Sequence, residues 1–436
     1  MMFTTTISGW GNYPQQESQL LTPPSSASLN AAVELEGSLI ARGMGRSYGD
    51  SANAPKVIQT SYYNHFLEFD EKTGKLTAES GVTLREILKI IVPRGWFLPV
   101  TPGTSYVTLG GAIASDIHGK NHHNSGTFGQ HVKSISMLLG TGEVVTTSHV
   151  KNFDLFHATC GGMGLTGVIL RATIQLIPVR SSLINQKMIK ADCIEVACET
   201  FEENFAATYS VAWIDCLTKG KSLGRSVLIL GEHAENGGLE IDINEPVSIP
   251  FNTPSALLNR LTIKTFNAAY WHKAKHNRIQ TVPLMPYFYP LDVISNWNKL
   301  YGKAGFLQFQ CVIPKDDGIA NMRKLLTEIT ESGEGSFLAV LKQFGKANNN
   351  YLSFPTEGYT LALDFKLTAS AIRMLQRLEK IVVDMGGRLY LTKDALMQEA
   401  TFKATYQRWE EFESVREKYG AIGKFSSVQS KRLGLS

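Results

Sequence analysis

The chain has 436 residues, 43% of them hydrophobic and 19% charged, with a formal net charge of +4. That length calls for two cores rather than one, and so mild a charge excludes a dedicated nucleic-acid binder, which concentrates far more Lys and Arg on one face. The five cysteines, Cys160, Cys193, Cys198, Cys216 and Cys311, form no CxxC; this excludes a zinc knuckle or disulfide framework and suggests reduced, mostly buried thiols.

In chain order, the start MMFTTTISGWGNYPQQ has neither a basic region nor an apolar run of signal-peptide type, and no later run is long enough to cross a bilayer. The expectation is a cytoplasmic protein, or one attached peripherally to a membrane surface. After the loop TPPSSAS (22–28), short β-rich runs alternate with glycine turns as far as residue 182: SLIAR (38–42), KLTAES (75–80), SISMLLG (134–140), EVVTTS (143–148) and GVILRATIQLIP (167–178). Between them, TLREILKIIVPRG (83–95) spaces Leu84, Ile87, Leu88 and Ile91 as one helical face and stops at Pro93. The texture changes near 183. Strands YSVAWIDCL and SVLILG precede a loop-rich stretch, after which LQFQCVIP, FLAVLKQFG and YTLALDFK read as strands, and DGIANMRKLLTEITESG and SAIRMLQRLEKIVVDMGG as helices. Both parts read as α+β.

Three glycine clusters fall in the first part. ARGMGRSYGD (41–50) fails the dinucleotide pattern GxGxxG, because its third glycine, Gly49, comes one position late, and it has no Walker lysine. Glycines still let successive N–H groups converge on an anion. TPGTSYVTLGGAIASDIHGKNHH follows, with small residues that allow a flat ligand against the backbone, and then CGGMGLTGVI (160–169). One large, phosphate-containing cofactor explains all three. The neighbouring histidines lack a Cys or carboxylate partner at ligand spacing, so no metal site is expected.

ARGMGRSYGD, PGTSYVTLGGAIASDIHGKNHH, GGMGLTG, GFLQFQCVIP, FLAVLKQFG and GGRLYLTKD, in this order, closely resemble the flavin oxidases that act on the 2′ position of decaprenylphosphoryl-β-D-ribose. These have the vanillyl-alcohol-oxidase-type FAD fold, shared with aldonolactone and alditol oxidases. The resemblance runs from GWGNYP to SVREKYG. It implies a PCMH-like FAD-binding domain over 1–182, completed by 388–436. It also implies an α+β substrate domain with an antiparallel sheet over 183–387, carrying a mobile basic segment at about 230–290.

By position, the resemblance puts the FAD pyrophosphate on Ala41, Arg42, Gly43, Met44, Gly45, Arg46, Ser47, Tyr48, Gly49 and Asp50, and on Gly103. The isoalloxazine ring falls against Thr108, Gly110, Gly111, Ala112, Ser115, Ile117, His118, Gly119 and Asn121. Gly164, Gly167 and Ile169 serve the adenine end, while Tyr390 and Lys393 close the site. Covalent members of the wider fold use a histidine where this chain has Arg46, so the resemblance implies dissociable FAD. Family members carry a cysteine where this chain has Ala362.

Flavin oxidation of a secondary alcohol moves a hydride to N5 and a proton to a base, and leaves negative charge near N1 and C2=O. A cation there stabilises the charge as it develops. Lys393 is the candidate, assisted by Lys342, while His118 orients the ring or the sugar, or acts as base. Gln308 and Gln310 share one strand face and suit sugar hydroxyls.

From Pro246 to Leu291 no acidic residue occurs, while Arg260, Lys264, Lys273, Lys275 and Arg278 lie among Phe266, Tyr270 and Trp271. An amphipathic helix with Leu257, Leu258, Leu261 and Tyr270 on one stripe fits. It suits a phosphate-bearing lipid or an anionic membrane. The function expected is oxidation of a polyprenylphosphoryl pentose to its keto sugar, with a separate short-chain NAD(P)H-dependent ketoreductase completing an epimerisation and a quinone or oxygen reoxidising the flavin. The alternatives are a soluble aldonolactone or alditol oxidase and a flavin-free, anion-binding module.

Overall fold

The structure is a computed structural model and describes residues 2–35, 37–243, 246–254 and 258–435. In the first part, β1 (Met2–Ser8), β2 (Gln15–Leu21), β3 (Ile40–Arg42) and β4 (Lys56–Gln59) form a sheet in the order β1-β2-β4-β3. A second sheet gathers β5 (Phe66–Asp70) and β6 (Lys75–Glu79) with β8 (Val132–Leu138), β9 (Val144–Thr147) and β10 (Val168–Gln175), in the order β5-β6-β10-β8-β9. A small ladder joins β7 (Trp96–Phe97) to β11 (Ile177–Pro178).

The expected helix runs over Leu84–Ile91 and buries Leu84, Ile87, Leu88 and Ile91. Thr83 and Glu86 form its capping box, and the chain stops turning at Gly95, whose φ of 78° only glycine adopts cheaply. The capped, one-faced helix seals the first core.

The second part is built on eight antiparallel strands: β12 (Leu183–Ala191), β13 (Tyr209–Ile214), β14 (Ser226–His233), β16 (Arg278–Pro283), β18 (Phe306–Pro314), β19 (Ala339–Phe344), β20 (Gly358–Lys366) and β21 (Arg388–Leu389). Their order is β16-β12-β14-β13-β19-β20-β18-β21, and a small parallel pair, β15 (Val247–Ser248) with β17 (Ile294–Ser295), lies apart. The helices Ile194–Glu203, Gly318–Ser332 and Ala369–Asp384 pack on one face of the sheet. The other face, carrying Gln308, Gln310, Lys342 and Ala362, is turned to the cavity between the two parts. β21 still pairs with β18, so the chain leaves this sheet after Leu389, slightly later than the expected 388. It then returns to the first part. Leu39 pairs with Phe425, and the fully buried Arg416 donates from Nε to the carbonyl of Leu165 at 3.1 Å.

The basic segment forms a helix over Arg260–Lys273, capped by Asn259. Its apolar stripe differs from the expected one. Leu257 lies outside the described residues, Leu261 is 73% exposed, and the buried positions are Ile263 and Asn267. The cause is polar: Asn267 donates to Asp215 at 2.8 Å and Tyr270 packs on Trp213, which fixes the helix's rotation and turns Leu261 outward.

Candidate active site

A cavity of about 620 Å³ lies between the two parts. Its first wall is the loop after β3. Arg42 is tied down by donation to Ser8 O at 2.7 Å and Asn53 Oδ1 at 2.9 Å, and Arg46 stacks 4.0 Å above the Trp10 ring. Burial, then repulsion from Arg46, lowers the Arg42 pKa to about 10. Two guanidinium groups beside a glycine turn form a positive end to the cavity.

The glycines differ in what they permit. A Cβ on Gly43 would stand 2.3 Å from Thr108 Oγ1, the group that caps the Leu109–Ala114 helix, and one on Gly110 would stand 2.9 Å from Ser80 Cβ. Those two are needed for packing behind the wall, while Gly103 has nothing within 4 Å and opens onto the cavity. Most expected cofactor residues line the cavity, including Met44, Ser47, Gly164, Gly167 and Ile169. Four stand behind it. The space at Gly49 is filled by Asp394 O, Asp50 is ion-paired with Arg432 at 2.8 Å, Ala112 is core, and the Asn121 amide donates to Pro99 O at 2.8 Å.

The turn of the second glycine cluster is held by Asp116, whose φ is 40°. Its buried carboxylate accepts from Gly129 N at 2.9 Å, Asn348 and Asn350 at 2.8 Å, and Ser353 at 2.7 Å. These donors supply a buried charge with the partners it requires and fix the next residues, Ile117 and His118. His118 Nε2 faces the Gln310 amide at 3.1 Å and Nδ1 faces Lys342 Nζ at 3.3 Å, so both ring nitrogens are engaged. Burial, with Lys342 nearby, holds the imidazole neutral, well below its usual pKa. His122 Nδ1 accepts from Gly345 N at 3.1 Å, and His123 Nε2 bonds Ala207 O at 2.8 Å, so both act as local ties. Among the described residues, no three His, Cys, Asp or Glu side chains cluster as metal ligands.

The sheet forms the floor. Gln308 lies opposite Asp364 and donates to it, and Gln310 lies opposite Ala362. Lys393 sits 3.5 Å over the Tyr48 ring. Burial pushes the Lys393 ammonium down, with attraction to Asp364 opposing; burial pushes the Asp364 carboxyl up, with Gln308 and Lys393 opposing. Lys342 falls to about 8 through burial alone, and Lys120, beside the Tyr287 carbonyl, falls to about 7 through burial and then Lys342. Tyr390 donates from its hydroxyl to Ser115 O at 3.1 Å, joining floor to wall.

A family model described as an FAD-binding domain matches residues 22–148. Decaprenylphosphoryl-β-D-ribose oxidase of Mycolicibacterium smegmatis is 36% identical over 99% of this chain and 98% of its own length. The chain belongs to the decaprenylphosphoryl-β-D-ribose oxidase family. An uncharacterized Streptomyces coelicolor protein from the mprA 5′ region is 29% identical over 81% of this chain, and D-lactate dehydrogenase of Anaerostipes hadrus is 27% identical over 30%. As a member of this family, the chain is an FAD-dependent oxidoreductase with an α+β fold of PCMH type.

The residues present fit FAD. Arg46 Nε and Ser80 Oγ are buried on the cavity wall without hydrogen-bond partners, and the cations beside the glycine loop suit a diphosphate. The sequence reading left Lys120, Asp364 and Asp116 without roles. Asp364 had a signal, an acid in the apolar run YTLALDFK; Lys120 was visible only as part of HGK.

Proposed function

We propose that the enzyme binds FAD non-covalently and oxidises the 2′-hydroxyl of a polyprenylphosphoryl pentose to the keto sugar. The observation that carries this reading is the floor itself: Gln308, Gln310, Lys342 and Lys393 converge on the same cavity as the glycine wall. When bound, FAD would supply the two-electron acceptor for the alcohol's oxidation, held by the glycine wall with Arg42 and Arg46. Lys393 would supply a cation for the negative charge that the reduced cofactor carries. The hydroxyl proton goes to Lys342, whose pKa near 8 leaves some free amine at neutral pH. His118, neutral and engaged at both nitrogens, orients Lys342 and Gln310 around the sugar.

The keto sugar then passes to a separate short-chain NAD(P)H-dependent ketoreductase, and a quinone or oxygen takes the electrons. No helix among the described residues is long and apolar enough to cross a membrane. Peripheral contact is supported by the basic helix Arg260–Lys273, acting as a lid, and by Leu261 and Ile279, each 73% exposed. Purified protein is expected to be yellow and to bleach anaerobically with a prenylphosphoryl ribose. Bleaching by aldonolactones or alditols alone would instead favour a soluble-sugar oxidase, and colourless protein that cannot be reconstituted with FAD would end the enzyme reading.

A further inference from the structure

The cavity floor changes character across the sheet. Over β18 and β20 it presents Gln308 and Gln310, with Asp364 buried behind Gln308. The same face continues through Ala362 to Val340 on β19, which lies opposite Trp213 on β13; one pleat away, Val211 lies opposite Ile229 on β14. From β18 to β14 there are four inter-strand steps, about 19 Å at the usual strand spacing, which is several times the width of a pentose ring.

The far end has a roof. Phe266 and Tyr270 of the Arg260–Lys273 helix line the cavity there, with Tyr270 4.7 Å from the Trp213 ring and Phe266 4.9 Å from Phe337. The chemistry of this arm is apolar and aromatic on both sides, unlike anything a free sugar requires. Where the polar floor gives way to the apolar arm stand two buried amines, Lys120 and Lys342. Among the described residues neither has a carboxylate at ion-pair distance, and repulsion between them contributes to the lowered pKa of Lys120. On the arm itself, the Trp213 indole N–H is buried without a partner. An unneutralised cation, Lys120, at the border of an apolar arm matches an anion bonded to a hydrocarbon.

We infer that the arm beneath the Arg260–Lys273 helix takes the first isoprenoid units of the substrate, and that Lys120 takes the phosphodiester joining lipid to sugar. This rests on the polyprenylphosphoryl-pentose reading and adds to it a place for each part of the substrate. The outward face of the same helix carries Lys264 and the exposed Leu261, so a longer chain leaves the arm beside a surface suited to lipid.

The test compares anaerobic flavin bleaching by farnesylphosphoryl-β-D-ribose and by methylphosphoryl-β-D-ribose, which share sugar and phosphodiester and differ only in the hydrocarbon. Wild-type holoenzyme is expected to half-saturate at a concentration about tenfold or more lower with the farnesyl compound. Phe266→Asp with Tyr270→Ser is expected to bring the two compounds within about twofold of each other. Lys120→Met should raise both values together by about tenfold. Flavin content is measured for each variant. Because Phe266 is 39% exposed, the single Phe266→Asp serves if the double variant loses flavin. Equal half-saturation of wild type by both compounds would overturn the inference, as would a variant that retains flavin and the full farnesyl preference. If neither compound bleaches wild type but an aldonolactone does, the substrate reading itself fails and the inference falls with it.

Discussion

On the cofactor side of the cavity the chain offers mainly backbone: turns at Gly45, Gly103 and Gly164, with Arg42 and Arg46 behind them. On the sheet side it offers side chains, set two residues apart on β13, β18 and β19, with three lysines facing the cavity. The first wall is made by local turns. The second exists only when strands 50 or more residues apart lie in register, as Gln308 does with Asp364. Loss of a side chain should therefore cost chemistry on one wall and folding or cofactor affinity on the other.

The largest effect is expected on the sheet side. Lys393→Ala should slow flavin reduction by substrate by about two to three orders of magnitude, the usual scale for losing one charge-stabilising group, with flavin still bound. Near-normal reduction in a stopped-flow trace would remove Lys393 from the mechanism. The glycine wall can then be divided. Gly43→Ala is expected to destabilise the fold by about 1–3 kcal/mol, because its Cβ meets Thr108 Oγ1 at 2.3 Å. Gly103→Ala, with nothing within 4 Å, should melt normally without cofactor and lose FAD affinity instead. Equal melting of the two cofactor-free variants would break the distinction between packing glycines and facing glycines.

The smallest effect is electrostatic. Lys120 and Lys342 are lowered to about 7 and 8 from the ordinary 10.5. Above those values the folded cofactor-free protein has released protons that the unfolded chain still holds, so stability rises with pH. The gain should show between about pH 7 and pH 8.5; higher still, the buried thiols work the other way, since the unfolded chain ionises them first. Lys120→Met should reduce the slope. A melting temperature that falls over this interval in the cofactor-free protein would contradict the arrangement.

The same contrast explains what was legible in the sequence. The Leu84–Ile91 helix could be read from its spacing and its Thr83 and Glu86 cap, and the strands lay within a few residues of their runs. The cofactor loops stood out because glycine clusters are rare without a reason. Gln308 and Gln310 were readable as one face because alternation is local. Asp364 and Lys120 were not, since their meaning depends on partners from other strands and loops, and the Arg260–Lys273 helix was misrotated because Asn267, a polar residue, proved to be its inward anchor. Pattern reading assigns polar residues to water and has no means of anticipating a buried Asp215 waiting for one.

Asp50 and Asp394 share one partner, Arg432, at 2.8 and 3.0 Å. The loop after β3 is made 382 residues before the residue that neutralises its buried acid. During synthesis, when N-terminal segments fold first, the early loop therefore carries an uncompensated charge until residue 432 has left the ribosome. The consequence is one of timing: FAD is expected to be captured only once Arg432 has been made, and a nascent chain stalled before it should bind FAD poorly even with every cavity-lining residue already translated.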